Sequence, residues 1–296
     1  MEQKKRLFIA QPHGVCAGVE RAIDTVEEVL KTANGTVWVL HELVHNDFLT
    51  EELTRRGVRF TENINDVPDG SVLLFGAHGV GNDVEELARR KKLQITDATC
   101  PLVCKLQKAA CDAVKNGEKV ILFGHKNHPE VCGVLGRLPE ETVFLVSSPA
   151  EVSALPDLNG TPCRMLSQTT MNTQEIGEVF SAVQKRFPHA LPGTGACYAT
   201  TQRQNAVRKL AEKVDFIVIL GSVRSSNSRR LQEIAAACGA ESILLDSAAE
   251  LPPELLKNRT AVGLSSGASV PEQLFTECVR KLEKSGFNEK VIVSGE

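Results

Sequence analysis

Short, almost uninterrupted apolar runs alternate along this chain of 296 residues with longer stretches in which apolar residues recur every three or four positions. The runs RLFIA, TVWVL, SVLLFGA, KVILFGH, TVFLV, DFIVILG, SILLD and TAVGLSS have the length and near-continuous hydrophobicity of strands buried on both faces, as in parallel sheets. The periodic stretches 17–32, 101–116, 172–187, 200–213, 227–238 and 271–285 predict amphipathic helices. Strand and helix patterns in alternation place the chain in the α/β class with mainly parallel sheets. No low-complexity linker interrupts the alternation, so the boundaries between units are short turns.

The same alternation hides an internal repeat. Three cysteines stand in one context, a polar or glycine-containing turn directly ahead of a predicted helix: Cys16 in HGVCAGVERAI, Cys100 in DATCPLVCKLQ and Cys197 in GACYATTQRQNAV. A polar cluster follows each at nearly equal distance: His45 and Asn46 at +29 and +30, His128 and Glu130 at +28 and +30, and Ser225, Ser226 and Asn227 at +28 to +30. A third cluster closes each series: His78 at +62, Thr169 and Thr170 at +69 and +70, and Ser269 at +72. These columns predict three similar α/β units, 1–98, 99–193 and 194–296 with a C-terminal tail, each presenting its loops at the carboxyl ends of its strands, where open α/β sheets bind ligands. Arranged around a pseudo-threefold axis, the units bring the three cysteines to the centre and the other clusters to one pocket. The plainer alternative is three stacked units whose polar turns serve only as helix caps.

Charge removes several classes of partner. Lys and Arg number 34 against 37 Asp and Glu, and no basic stripe studded with aromatics is present, which argues against nucleic acid. No apolar run reaches the roughly 20 residues that a membrane-spanning helix needs, and the apolar part of MEQKKRLFIAQPHG is too short for a signal peptide. The expectation is a cytoplasmic protein with reduced thiols, in which nine cysteines, an odd number, are ligands, catalytic groups or small buried residues rather than disulfides.

A cysteine at a helix start is biased toward thiolate by the backbone N–H groups and the positive end of the helix dipole. Three converging thiolates suit a metal. Zinc with an open fourth position is one solution, although structural zinc is usually held by close C-x-x-C pairs, which this chain lacks. A four-iron cluster normally takes four thiolates, so three leave one iron open for substrate. The surrounding histidines, serines, threonine and asparagine are neutral donors and switchable cations of the kind that hold a phosphate or diphosphate, with SSNSRRL offering a helix N-terminus. Glu130 reads either as a general acid or as a first-turn carboxylate, and Ser226 or Asn227 alone reads equally well as a cap.

At these residues the chain resembles a known family. GVCAGVERAI, ELVHN, AHGV, DATCPLV, GHKNHPEV, SQTT, CYATTQRQ, GSVRSSNSRRL and GASVPE are similar to the motifs of the 4-hydroxy-3-methylbut-2-enyl diphosphate reductases, in order, from about residue 7 to residue 285. The resemblance implies a trefoil-like fold of three α/β domains around one 4Fe-4S cluster. Cys16, Cys100 and Cys197 would hold the cluster, leaving one iron open for the substrate oxygen. It implies reductive removal of the substrate hydroxyl with two electrons and two protons, giving isopentenyl and dimethylallyl diphosphate. Glu130 would be the proton donor, with Thr169 and His128 beside it, and His45, His78, His128, Thr169, Ser225, Ser226, Asn227 and Ser269 would bind the allylic diphosphate. Electrons would come from a ferredoxin or flavodoxin, and the chain would act as a monomer.

Val15 and His13 depart from the family pattern, which usually has an aromatic residue and Arg or Lys there, and Cys132 is unusual after HPEV. Cys132 is expected as a buried small residue, and Cys104, Cys111, Cys163, Cys238 and Cys278 as structural ones, the first two by helix-core spacing. Two other classes fit three-cysteine clusters: a hydro-lyase and a non-enzymatic iron-sulfur sensor. The first should bring arginine forks for a carboxylate, and the second a basic helix-turn-helix. Neither is evident in the motifs, although Arg224, Arg229 and Arg230 stand beside one of them.

Overall fold

A computed structural model describes residues 4–296. The described residues form three sheets, all parallel, of five, four and four strands. In chain order the strands are β1 Lys5–Gln11, β2 Val37–Leu40, β3 Val58–Thr61, β4 Val72–Phe75, β5 Gln94–Asp97, β6 Lys119–Phe123, β7 Val143–Val146, β8 Cys163–Ser167, β9 Leu191–Pro192, β10 Phe216–Leu220, β11 Glu241–Leu245, β12 Ala261–Ser266 and β13 Phe287–Ser294. The helices are α1 Ala17–Thr32, α2 Asp47–Arg55, α3 Asn82–Arg90, α4 Pro101–Lys115, α5 Pro129–Leu135, α6 Thr173–Arg186, α7 Tyr198–Ala211, α8 Ser226–Ala237 and α9 Glu272–Lys284. No helix among the described residues is long and apolar enough to cross a membrane.

All eight expected strands and all six expected helices are present. Central strands are apolar on both faces, β10 being buried at every position, because helices cover both sides of a parallel sheet. In α1 the buried residues Val19, Ala22 and Val26 follow helical spacing and leave the charged positions outward. Pro101 opens α4, where a missing N–H costs nothing and its fixed φ already suits the helix.

By their contacts the residues fall into two compact units. One takes in residues 4–17, His45–Leu49 and Tyr198–Glu296, and the other Gly18–Val44 and Thr50–Cys197. The first holds the five-stranded sheet, ordered β11-β10-β12-β1-β13. Its two apolar cores centre on Leu7, Phe216, Val218 and Leu264 and on Phe8, Val207, Ile217 and Leu231. The second holds the sheets β3-β2-β4-β5 and β7-β6-β8-β9.

The strand order repeats. In each sheet the strand that comes second in its segment sits outermost, followed by the first, the third and one further strand, with β13 beyond that strand in the five-stranded sheet. The strands in that fourth place are β5, β9 and β1, and each leads into one of the three helix-mouth cysteines, Cys100, Cys197 and Cys16. Here the structure differs from the expected unit 1–98. Its first strand belongs to the sheet built from 216–294, pairing with β12 from Arg6↔Ala261 onward and with β13. The repeat therefore closes on a cysteine instead of opening on one, and the start of the chain completes the last sheet. Sequence spacing has the same period in either phase, which is why it does not separate them.

Candidate functional site

Each of the three cysteines immediately precedes a helix, Cys16 ahead of α1, Cys100 at the cap of α4 and Cys197 ahead of α7. Each backbone N–H is tied to a loop at the end of a third strand: Cys16 to Ala268 O at 3.0 Å, Cys100 to Ala77 O at 3.0 Å and Cys197 to Thr169 O at 3.0 Å. Those acceptors are Thr169 itself and the residues just before His78 and Ser269. One hydrogen-bond pattern thus joins the first column to the third in every repeat. The Cys100 side chain makes no capping bond, and all three residues are half-buried.

In the second unit Glu130 lies in the first turn of α5 and is 1% exposed. Thr169 holds it twice, its N–H donating to Oε1 at 2.6 Å and its hydroxyl paired with Oε2 at 2.8 Å. Burial pushes the carboxyl up to about 7, against the two Thr169 bonds, which lower it. The hydroxyl contact runs in either sense, with Thr169 donating to the carboxylate or the protonated carboxyl donating to Thr169. His128 caps α5, its Nδ1 accepting from the Glu130 N–H at 3.2 Å. The ring proton therefore sits on Nε2 in the neutral form. The His78 ring stands edge-on to it, with centroids 5.4 Å apart.

In the first unit α8 begins with a buried run, Ser225, Ser226, Asn227 and Ser228. Ser225 is the cap, accepting from the Ser228 N–H at 3.3 Å. Among the described residues both polar atoms of the Asn227 amide lack a partner, as do the hydroxyls of Ser228 and, on β12, Ser265. Gly221 and Gly267 let this helix start come close to the ends of β10 and β12, for a Cβ on either would strike the Ser228 side chain. Unpaired amide and hydroxyl groups in a buried helix N-terminus make a place that an anion completes. Beside them Ser269 donates to His45 O at 3.0 Å, and the Asn46 amide donates to Ser269 O at 2.8 Å.

One contributor, Gln168, has no place among the polar columns of the sequence, whereas Asn46 stands in the second of them. Gln168 is fully buried; it accepts from the His125 N–H at 3.0 Å and donates to Thr170 Oγ1 at 2.7 Å, so it orders the turns that carry His128 and Thr169. Asn46 also caps α2, accepting from the Leu49 N–H at 3.0 Å. A buried glutamine at a strand end has no distinctive local signal, whereas Asn46 directly ahead of α2 carries an ordinary N-cap signature.

The model of the family described as LytB protein matches residues 7–283. The chain belongs to the LytB family. Among curated proteins of this family it is similar to the 4-hydroxy-3-methylbut-2-enyl diphosphate reductase of Salmonella paratyphi A, 41% identical over 98% of this chain and 93% of the relative. The enzyme of the same name from Salmonella typhimurium is 40% identical with the same coverage. Among solved structures, the E-1-hydroxy-2-methyl-but-2-enyl-4-diphosphate reductase from Plasmodium falciparum superposes with a TM-score of 0.94 at 34% identity, over 98% of this chain and 92% of that one. A second structure, of (E)-4-hydroxy-3-methyl-but-2-enyl diphosphate reductase, gives a TM-score of 0.68 at 32% identity, covering 95% and 99%.

Within this LytB chain the remaining cysteines divide differently from expectation. Cys163 and Cys278 are buried in the core as expected, and burial pushes the Cys278 thiol up to about 12. Cys104, Cys132 and Cys238 are exposed residues instead. Cys104 and Cys132 lie on the outer faces of α4 and α5, where helical spacing alone does not say which side faces the sheet. Partial desolvation still raises both thiols, the opposite of what a ligand or nucleophile needs. His13, one of the departures from the family pattern, stacks on Phe275 at 3.9 Å between ring centroids, and its Nδ1 lies 3.4 Å from Glu272.

Proposed function

We propose that this chain is the reductase of the non-mevalonate isoprenoid pathway, the activity that its relatives' names carry. The reaction takes 4-hydroxy-3-methylbut-2-enyl diphosphate, two electrons and two protons to isopentenyl or dimethylallyl diphosphate and water. The donor set fits an iron-sulfur cluster: of nine cysteines, Cys16, Cys100 and Cys197 share the helix mouth and the amide tie that leave a soft ligand fixed and half-exposed. When bound, such a cluster supplies electrons one at a time, delivered from a ferredoxin or flavodoxin.

The observation that carries the reading is the Glu130–Thr169–Cys197 connection. A buried carboxyl poised near neutral pH is bonded to a threonine hydroxyl, and that threonine's carbonyl accepts the amide of a cluster cysteine. Glu130 holds a proton and Thr169 passes it toward the departing hydroxyl. The diphosphate completes the α8 start, taking hydrogen bonds from Ser225, Ser226 and Asn227, with Ser269 and His45 in the same unit. The hydro-lyase and sensor alternatives have no such support, since the relatives are named as reductases.

Anaerobic reconstitution tests this directly. The parent should bind about four irons, and Cys16→Ser, Cys100→Ser or Cys197→Ser should abolish turnover with a reduced low-potential donor. Cys104→Ser and Cys278→Ala should keep both iron and turnover. Iron that survives loss of Cys197 but not of Cys104 would reassign the ligands.

A further inference from the structure

Two of the three cysteine loops are gripped by an arginine sent from a helix that itself begins at another site cysteine. Arg203 lies on α7, six residues past Cys197, and is the largest fully buried side chain among the described residues. Its Nη2 donates to Gly14 O at 2.8 Å and its Nη1 to Ala199 O at 3.0 Å. Gly14 sits at φ +71°, and its N–H donates to Ser266 Oγ at 2.9 Å. Arg21 lies on α1, five residues past Cys16, and its Nη1 donates to Thr99 O at 2.8 Å. The Thr99 N–H is in turn held by Asp97 Oδ1 at 2.8 Å. Positions five to seven after Cys100 are Lys105, Leu106 and Gln107, so the third helix carries no such arginine.

These contacts hold the carbonyls of Gly14 and Thr99 just ahead of two cysteines, while Ala268 and Ala77 accept the Cys16 and Cys100 amides. With the backbone entering each cysteine held at a carbonyl and at the cysteine amide, the fold restricts where each Cα, and with it the thiol, can sit. We propose that Arg203 and Arg21 are positioning residues that hold the Cys16 and Cys100 loops in a ligand-ready conformation before the cluster arrives, an inference that rests on the reading of these cysteines as its ligands. A guanidinium suits the task because its planar fork presents directed donors that a lysine ammonium does not, and Arg203 uses two of them on two carbonyls. Ligands held in place lose little conformational freedom when the cluster binds, which favours uptake and slows release.

Hydrogen exchange of the cluster-free chain, followed over the segments 12–18 and 97–103, tests the assignment. Removal of a hydrogen bond from a charged donor should speed local exchange by about tenfold or more. Arg203→Gln should do this at the Gly14 and Cys16 amides and leave Cys100 unchanged; Arg21→Gln should do the reverse. Unchanged exchange at the targeted loop, or equal loosening at both, would overturn the proposal. Arg21 is the more exposed of the two, so its variant decides the matter if Arg203→Gln does not fold. In the reconstituted protein both variants should also release iron to a chelator at least about fivefold faster, on the same scale of lost local order; equal release rates would sink the link to the cluster. A parent chain that takes up no iron would instead overturn the cluster reading, while the exchange pattern would still report on the clamps.

Discussion

The two helix starts that carry the polar site residues solve burial in opposite ways. At α5 both oxygens of the Glu130 carboxyl and the His128 Nδ1 atom have partners within the chain, and the group that stands out is a carboxyl held near neutral pH by desolvation. At α8 the Asn227 amide and the Ser228 hydroxyl are buried with no partner among the described residues. A satisfied but desolvated acid stores a proton; unsatisfied neutral donors store affinity for something absent from the free chain. Both arrangements cost folding stability, and the form of the cost distinguishes a proton donor from a binding cradle.

The largest effect separating the two should be on turnover. Glu130→Gln keeps the size of the side chain and a hydrogen-bonding amide but cannot supply the proton. Loss of a general acid costs about two to four orders of magnitude in kcat, with KM and iron content close to the parent's. A merely structural first-turn carboxylate predicts the reverse, near-normal kcat per cluster with a lower melting temperature. Near-normal kcat in Glu130→Gln would end the proton-donor assignment.

The same residue makes a prediction about pH. Its folded-state value of about 7 lies above the ordinary 4.5. Below pH 4.5 the carboxyl is protonated in both folded and unfolded chains and costs nothing. As pH rises, the unfolded chain ionises first, so stability falls, and the loss is complete once the folded carboxyl also ionises, above about 7. A shift of this size corresponds to about 3 kcal/mol. Denaturant unfolding of the cluster-free chain should therefore show Glu130→Gln gaining on the parent between pH 5 and pH 8. A constant difference across that range would mean that the carboxyl is not desolvated as described.

Much of this was legible in the sequence because burial on both faces writes itself plainly: β10 is apolar at every position, and the helix limits 17–32 match α1. What was missed lies where that signal is weak. β5 is a sheet edge with exposed Gln94 and Ile95, β9 has two residues, and β8 carries Arg164, whose charge is met by Glu118 at 2.7 Å. The short helices α2, α3 and α5 span too few turns to show a period. The three cysteines stood out by their common context, but the phase of the repeat did not. Whether a cysteine opens a unit or closes one depends on which strand β1 pairs with, and that pairing spans more than 250 residues.

The smallest of these effects is the most diagnostic for α8. Asn227 pays for burying an amide with no hydrogen bond in the free chain, so Asn227→Leu removes a desolvation cost while keeping similar bulk. Cluster-free stability should be unchanged or rise by about 1 kcal/mol, the low end of what an unsatisfied buried polar group costs. Substrate binding should move the other way, with KM rising by about fivefold to tenfold, the worth of one neutral hydrogen bond, and kcat changing less. Opposite signs in the two measurements are what a cradle completed by its ligand requires. Lower stability together with unchanged KM would show that the amide is met within the folded chain after all, and would move the diphosphate away from the start of α8.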